Sequence, residues 1–211
     1  MAYNLSGAVE AALAGRFVVL VDVIDMSTTA EALLEAGASK IWGAAPCGKG
    51  EPYANPYLIG REAAQEARKN QRRVFVIAEP RVGQPEERNK RAALVLDGIR
   101  AEGAEPADIF PNLGAETAKF TDWRNHYAVI VSDAGGTVFD AVWQLGGGIT
   151  TATVARTLGM KGPASAHKGV ERALLMAQGA PVTVTAASGS ALEDVLAAQY
   201  IAQLLLAAVA D

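Results

Sequence analysis

The chain reads as an α/β protein, a three-layer α/β/α fold with a mostly parallel sheet, built as a single domain over residues 1–211. Three observations predict this. Short valine-rich apolar runs, of which Phe17-Val-Val-Leu-Val21 is the clearest, recur along the chain and alternate with segments of helical apolar spacing. Half of the residues are hydrophobic and a fifth are charged, the balance of a packed globular chain. No linker rich in proline, glycine or serine divides the chain, and no internal repeat is present.

The elements follow in order. Residues 16–22 form a strand that is buried on both faces, and 27–37 a helix with Ala30, Leu33 and Leu34 on its apolar side and Gly37 at its end. Strand 39–44 comes next, then an irregular loop over 45–56 with three prolines and two glycines, which has the composition of a flap. Helix 57–70, strand 73–78 and helix 86–102 follow, the last closed by Gly103. Strand 127–132 runs into helix 136–144. Beyond it are expected strand 145–149, helices 151–159 and 163–179, strand 181–187 and helix 190–209.

Composition excludes several classes. A net charge of −4 without a basic stripe speaks against nucleic acid as a partner. The basic patches Arg72-Arg73 and Arg88–Arg91 sit among glutamates and read as solvated helix faces. Cys47 is the single cysteine, so no internal disulfide forms, and a reducing compartment is expected. The first residues lack the form of a signal peptide, and the late apolar run 201–210 reads as too short to span a bilayer. A cytoplasmic protein with no membrane partner is therefore expected. The apolar segment Tyr200–Val209 points to a buried helix or the seam of a homo-oligomer.

P-loop, dinucleotide, nucleophile-elbow and zinc patterns are absent. Of the two histidines, His126 and His167, neither has a setting that suggests a triad. Chemistry concentrates at four strand-to-helix corners. The first, Asp22-Val-Ile-Asp25-Met-Ser27-Thr28-Thr29, offers two carboxylates for a hard cation, a cap in Ser27 or Thr28, and free amides for an anion. The second is Asp133-Ala-Gly135-Gly136-Thr137, where glycines let backbone amides approach a ligand. The third, Glu79-Pro-Arg81-Val-Gly83, supplies a guanidinium suited to phosphate or sulfonate, or an ordinary pair of Arg81 with Glu79 or Glu86. In the fourth, Ser188 or Ser190 caps the last helix, Glu193 occupies the capping-box place, and Asp194 is the better metal or acid candidate. Cys47 would act as a nucleophile only with a basic neighbour such as Lys49. In a parallel sheet such corners gather at one edge, where ligands bind. The set suggests a small anionic substrate, a divalent cation and carboxylates.

These residues resemble the 2-phosphosulfolactate phosphatase family of coenzyme M biosynthesis. That family carries D-V-L-R-A-S-T-T after a strand, to which Asp22–Thr29 is similar, and a following A-x-G-A matched near Ala36-Gly37-Ala38. Its G-E-R-x-G resembles Ala78-Glu79-Pro80-Arg81-Val82-Gly83, and its G-N-S-P turn resembles Asn112-Leu-Gly114-Ala115. Its T-T-N-G-T falls on Ser132–Thr137 with one inserted residue, and its late L-E-D-x-L on Leu192-Glu193-Asp194-Val-Leu196. The resemblance implies an α/β/α fold and Mg²⁺-dependent removal of phosphate from a sulfonated three-carbon acid. Mg²⁺ would sit on Asp22, Asp133 and Asp194. Arg81, with Glu79, Asn112 and the backbone of Ser27, Thr28, Thr29, Gly135, Gly136 and Thr137, would hold the substrate. Asp22 would also belong to the catalytic set, with Asp25 or Glu193 as general base. Asp25 stands where the family has arginine, and the asparagine of T-T-N-G-T is missing. Both departures weaken dianion binding, so lyase or synthase chemistry on sulfonated acids, or ligand binding without turnover, are the alternatives.

Overall fold

The computed structural model describes residues 1–48, 50 and 52–210. The chain adopts the expected α/β class, and every strand pairing in it is parallel. The strands divide between two four-stranded sheets. The first has the order β1 (Ala2–Tyr3), β8 (Val182–Ala186), β2 (Phe17–Val21), β7 (Ile149–Thr151). The second has the order β3 (Lys40–Ala44), β6 (Tyr127–Val131), β4 (Val74–Ala78), β5 (Ile109–Pro111).

Each sheet is covered by helices on both faces, and the sheets share a middle layer. Helices α2 (Met26–Glu35) and α6 (Gly135–Gln144) pack on strands of both sheets, with α1 (Asn4–Leu13) beside α6. Helices α7 (Pro163–Ala177) and α8 (Leu192–Ala210) cover the outer face of the first sheet. Helix α3 (Pro56–Lys69), backed by α5 (Ala93–Ala101), covers that of the second. Strand β2 shows why the sequence builds this. Its side chains alternate faces, and every one is buried. Val18 and Leu20 join the core shared with α2, α6 and the second sheet. Phe17, Val19 and Val21 join a separate core with Ala166, Val170, Ala198 and Ile201 of α7 and α8.

Several boundaries differ from the sequence reading. The strand expected over 145–149 begins at Ile149, because the amides of Leu145, Gly146 and Gly147 still bond to the Ala141, Trp143 and Val142 carbonyls at the end of α6. Residues 151–159 are not a helix: Thr151 ends β7, and the hydroxyls of Thr151 and Thr153 bond to Glu31 and Thr28 of the middle layer. The helix expected over 86–102 is two, α4 (Pro85–Arg91) and α5, interrupted at Ala92; nothing local explains the break. Helix α1 was missed, since Tyr3 precedes it without a side-chain cap, as were the two-residue β1 and three-residue β5. Helix α8 is long and apolar enough, by length and composition, to cross a membrane, which corrects the shorter estimate; its inner face belongs to the core shared with α7.

Helices α3 and α5 cross at two glycines. A Cβ at Gly60 would strike the Val95 carbonyl, and one at Gly98 would strike the Tyr57 carbonyl. Backbone cannot yield there without separating the helices, so Gly98→Ala is expected to destabilise the protein by about 1–3 kcal/mol. A lowered midpoint in urea unfolding is the check; an unchanged midpoint would mean that the helices slide apart freely.

Candidate active site

The carboxyl ends of the two sheets meet at the start of α2. Asp22, directly after β2, accepts the Gly135 amide of α6 on Oδ2 at 2.9 Å and the Asp25 amide on Oδ1 at 3.3 Å. Asp25 reaches the corner after β4: its Oδ1 pairs with Arg81 at 2.9 Å, and the same guanidinium donates to the Ile24 carbonyl. Asn112, after β5, donates to the Asp25 carbonyl at 3.1 Å and accepts from Thr29. Three corners of the second sheet thus close on one turn of the first.

Around this meeting lies a cleft of about 640 Å³ lined by Asp25, Glu79, Arg81, Lys90, Arg91 and Cys47, with Pro80 and Glu87 at its sides. Arg91 spans two carboxylates, Asp133 at 2.8 Å and Glu79 at 3.5 Å. Burial and the neighbouring Asp25 push the Glu79 carboxyl up to about 7, with Arg91 opposing. Burial, aided by Asp25 and Asp194, pushes Asp22 up to about 7 as well. Among the described residues Glu79 Oε1 is buried without a hydrogen-bond partner, and so is Arg91 Nε. A carboxyl that changes charge near neutral pH, set beside guanidinium groups in an open cleft, can move protons on a bound anion.

The sequence-derived residues divide into those that face the cleft and those that build its frame. Asp25, Glu79 and Arg81 line it, and Asp133 reaches it through Arg91. Asp22 is buried and clasps α6 to the first sheet; it does not line the cleft. Ser27, Thr28 and Thr29 are buried inside α2 and do not cap it, because the helix starts earlier, with Asp25 in the cap place. Ser27 Oγ instead accepts from the Asp22 amide at 2.7 Å, and Thr28 donates to the Val23 carbonyl. Asn112 is fully buried. The amides of Gly135 and Gly136 are taken by Asp22 and by Ser132 Oγ, and Thr137 is buried behind them. Glu193 is exposed on α8, away from the cleft-lining residues, and Ser188 and Ser190 bond to each other. Arg81 pairs with Asp25 in place of Glu79 or Glu86.

The donors assigned to Mg²⁺ do not fit that ion. Among the described residues no three His, Cys, Asp or Glu side chains are grouped to hold a metal. Asp194 accepts the amides of Val23 at 2.8 Å and Ser188 at 3.3 Å, Asp22 accepts those of Gly135 and Asp25, and Asp133 pairs with Arg91. These carboxylates are held by amides and a guanidinium.

Lys90 is exposed, as the sequence reading expects of a solvated face, while Arg91 is half-buried. Both stand at the end of α4 and line the cleft, and no spacing signal in the sequence marks the break at Ala92. Cys47 is exposed in the cleft, and its amide donates to the Arg91 carbonyl at 2.7 Å. Lys49, the base considered for it, lies outside the described residues, as does Glu51 of the same loop. His126 packs edge-on against Phe75, and His167 is exposed.

No family model, curated protein or solved structure matches this chain.

Proposed function

We propose that this cleft is the active site of an enzyme for small anionic acids, and that its reaction is hydrolysis of a phosphate monoester on a sulfo- or carboxylic acid such as 2-phosphosulfolactate. The observation that carries the reading is Glu79, a carboxyl pushed up to about 7 in the wall of a cleft that also presents Arg81 and Arg91. Guanidinium groups bind phosphoryl oxygens in a bidentate manner and favour the charge that spreads over them during transfer. Glu79 would take a proton from the attacking water as its oxygen bonds to phosphorus. It would return that proton to the alcohol oxygen as the ester bond breaks, which balances the reaction. Asp22 would act as a positioning residue, fixing the turn that carries Asp25. No step is routed through Mg²⁺, whose assigned donors are engaged elsewhere.

Phosphate release from 2-phosphosulfolactate, measured with Mg²⁺ and with a chelator, tests this. Glu79→Gln is expected to lower turnover by roughly 10²–10⁴-fold, with the variant still folded by circular dichroism. Turnover that survives both Glu79→Gln and Arg81→Ala would remove the assignment.

One observation favours a second reading. Asp25 already occupies Arg81, so a dianionic phosphate must displace a carboxylate to reach it. Lyase or synthase chemistry on sulfonated acids without phosphate uses the same proton carrier and asks less of Arg81. Asp25→Arg separates the readings: phosphatase activity that appears only in that variant supports the second.

A further inference from the structure

We infer that the cleft takes a small zwitterion, an acid that carries a protonated amine together with its carboxylate, sulfonate or phosphate. This rests on the cleft being the substrate site, as proposed above, and narrows the substrate to an amine-bearing acid in place of the wholly anionic 2-phosphosulfolactate. The lining carries both signs, with Asp25, Glu79 and Glu87 beside Arg81, Lys90 and Arg91. Each guanidinium is already matched by a carboxylate, Arg81 by Asp25 at 2.9 Å and Arg91 by Asp133 at 2.8 Å and Glu79 at 3.5 Å. A ligand of one sign would take one member of each pair and leave the other without its partner. A ligand of both signs replaces both: its anionic group takes Arg81, and its ammonium takes the carboxylate that Arg81 releases.

Glu79 Oε1 is a buried acceptor and Arg91 Nε a buried donor, and among the described residues neither has a hydrogen-bond partner. Both belong to side chains that line the cleft. An ammonium has three donors and no acceptor, which suits a cleft that presents the Asp25 and Glu79 carboxyls. Its positive charge also draws the proton off Glu79, leaving that carboxylate ready to accept one from water.

Two pairs of acids that differ only in amine against hydroxyl at the α-carbon provide the test. Cysteate is compared with 3-sulfolactate, and O-phosphoserine with 3-phosphoglycerate, by isothermal titration calorimetry on the full chain at neutral pH. The amino acid of at least one pair is expected to bind about tenfold tighter than its hydroxy partner. In Asp25→Asn the advantage should shrink toward parity, with the hydroxy acid binding as well as before or better because Arg81 is freed. Glu79→Gln should reduce it too, and serves if Asp25→Asn fails to fold. Hydroxy acids that bind as tightly as their amino partners to the wild-type protein overturn the inference and leave the substrate cleft standing. An amine preference that both variants retain overturns the assignment to Asp25 and Glu79. If no member of either pair binds, the inference and the reading of the cleft fall together.

Discussion

Arg172→Met is expected to destabilise the protein by about 3–5 kcal/mol, the cost of leaving one charge of a buried pair without its partner. Glu31, on α2 in the layer between the sheets, is 1% exposed. Its Oε1 is held by the Arg172 guanidinium, reaching across from α7, and by Thr151 Oγ1 at 2.7 Å. Arg172 also donates to Thr150 Oγ1 at 3.0 Å and to the Thr151 carbonyl at 2.8 Å, so one side chain ties α7, β7 and α2 together. Burial raises the Glu31 carboxyl, and Arg172 is the main influence that lowers it again. Methionine keeps most of the packing volume and removes the charge, so Glu31 must then take a proton to remain inside. Urea unfolding of the variant should accordingly recover at acid pH, and Glu31→Gln in the same background should restore part of the loss at pH 7. A variant as stable as the wild type would mean that water already reaches Glu31.

Stability is expected to fall as pH rises from about 4 toward 7. The folded chain holds Asp22 and Glu79 up to about 7 and Asp140 up to about 6, all mainly by burial, above ordinary values of 3.8, 4.5 and 3.8. Across that window the folded state binds more protons than the unfolded chain, so stability is greatest at the acid side and declines through the folded values. Asp22 alone accounts for on the order of 4 kcal/mol at the 1.36 kcal/mol that each pH unit of separation represents. The exposed pairs act in the opposite sense at lower pH: Arg61 and Arg124 hold Glu102 and Asp122 below the usual range, and that contribution is lost as these acids protonate. A maximum between the two windows, near pH 4–5, follows. Unfolding midpoints in urea from pH 3.5 to 8 measure it directly. Asp22→Asn keeps an oxygen for the Gly135 amide and removes the titration, so it should flatten the decline. A wild-type protein that gains stability steadily up to pH 7 would show that Asp22 and Glu79 ionise freely when folded.

Much of the frame was legible along the chain. The run Phe17–Val21 is a strand because five consecutive buried aliphatic and aromatic side chains need cover on both faces, and Gly37 ends α2 at a positive φ of 98°. The corners after β2, β4, β6 and β8 were all found, since each is a local change from apolar run to polar turn. Their roles were harder to read. Asp22 and Asp25 stand three residues apart with the same side-chain chemistry. One is a buried clasp on Gly135, and the other faces the cleft beside Arg81. Arg91 belongs to a run of charged residues that looks like any solvated helix face, and only its place against Asp133 and Glu79 sets it apart. Thr151 and Thr153 fall in the expected helix 151–159, yet both bond to the middle layer and Thr151 ends β7.

The order of strands and helices, the parallel pairing and the corners that carry chemistry follow from short-range periodicity, which neighbouring residues determine among themselves. Folding alone settles that the strands divide into two sheets, that α2 and α6 serve both, and that Asp25 meets an arginine 56 residues away. The reason is physical. A side chain's alternation is dictated by its own segment, but its partner is dictated by which distant segment the core brings alongside, and charge-bearing residues of one type are interchangeable until burial and a neighbour tell them apart.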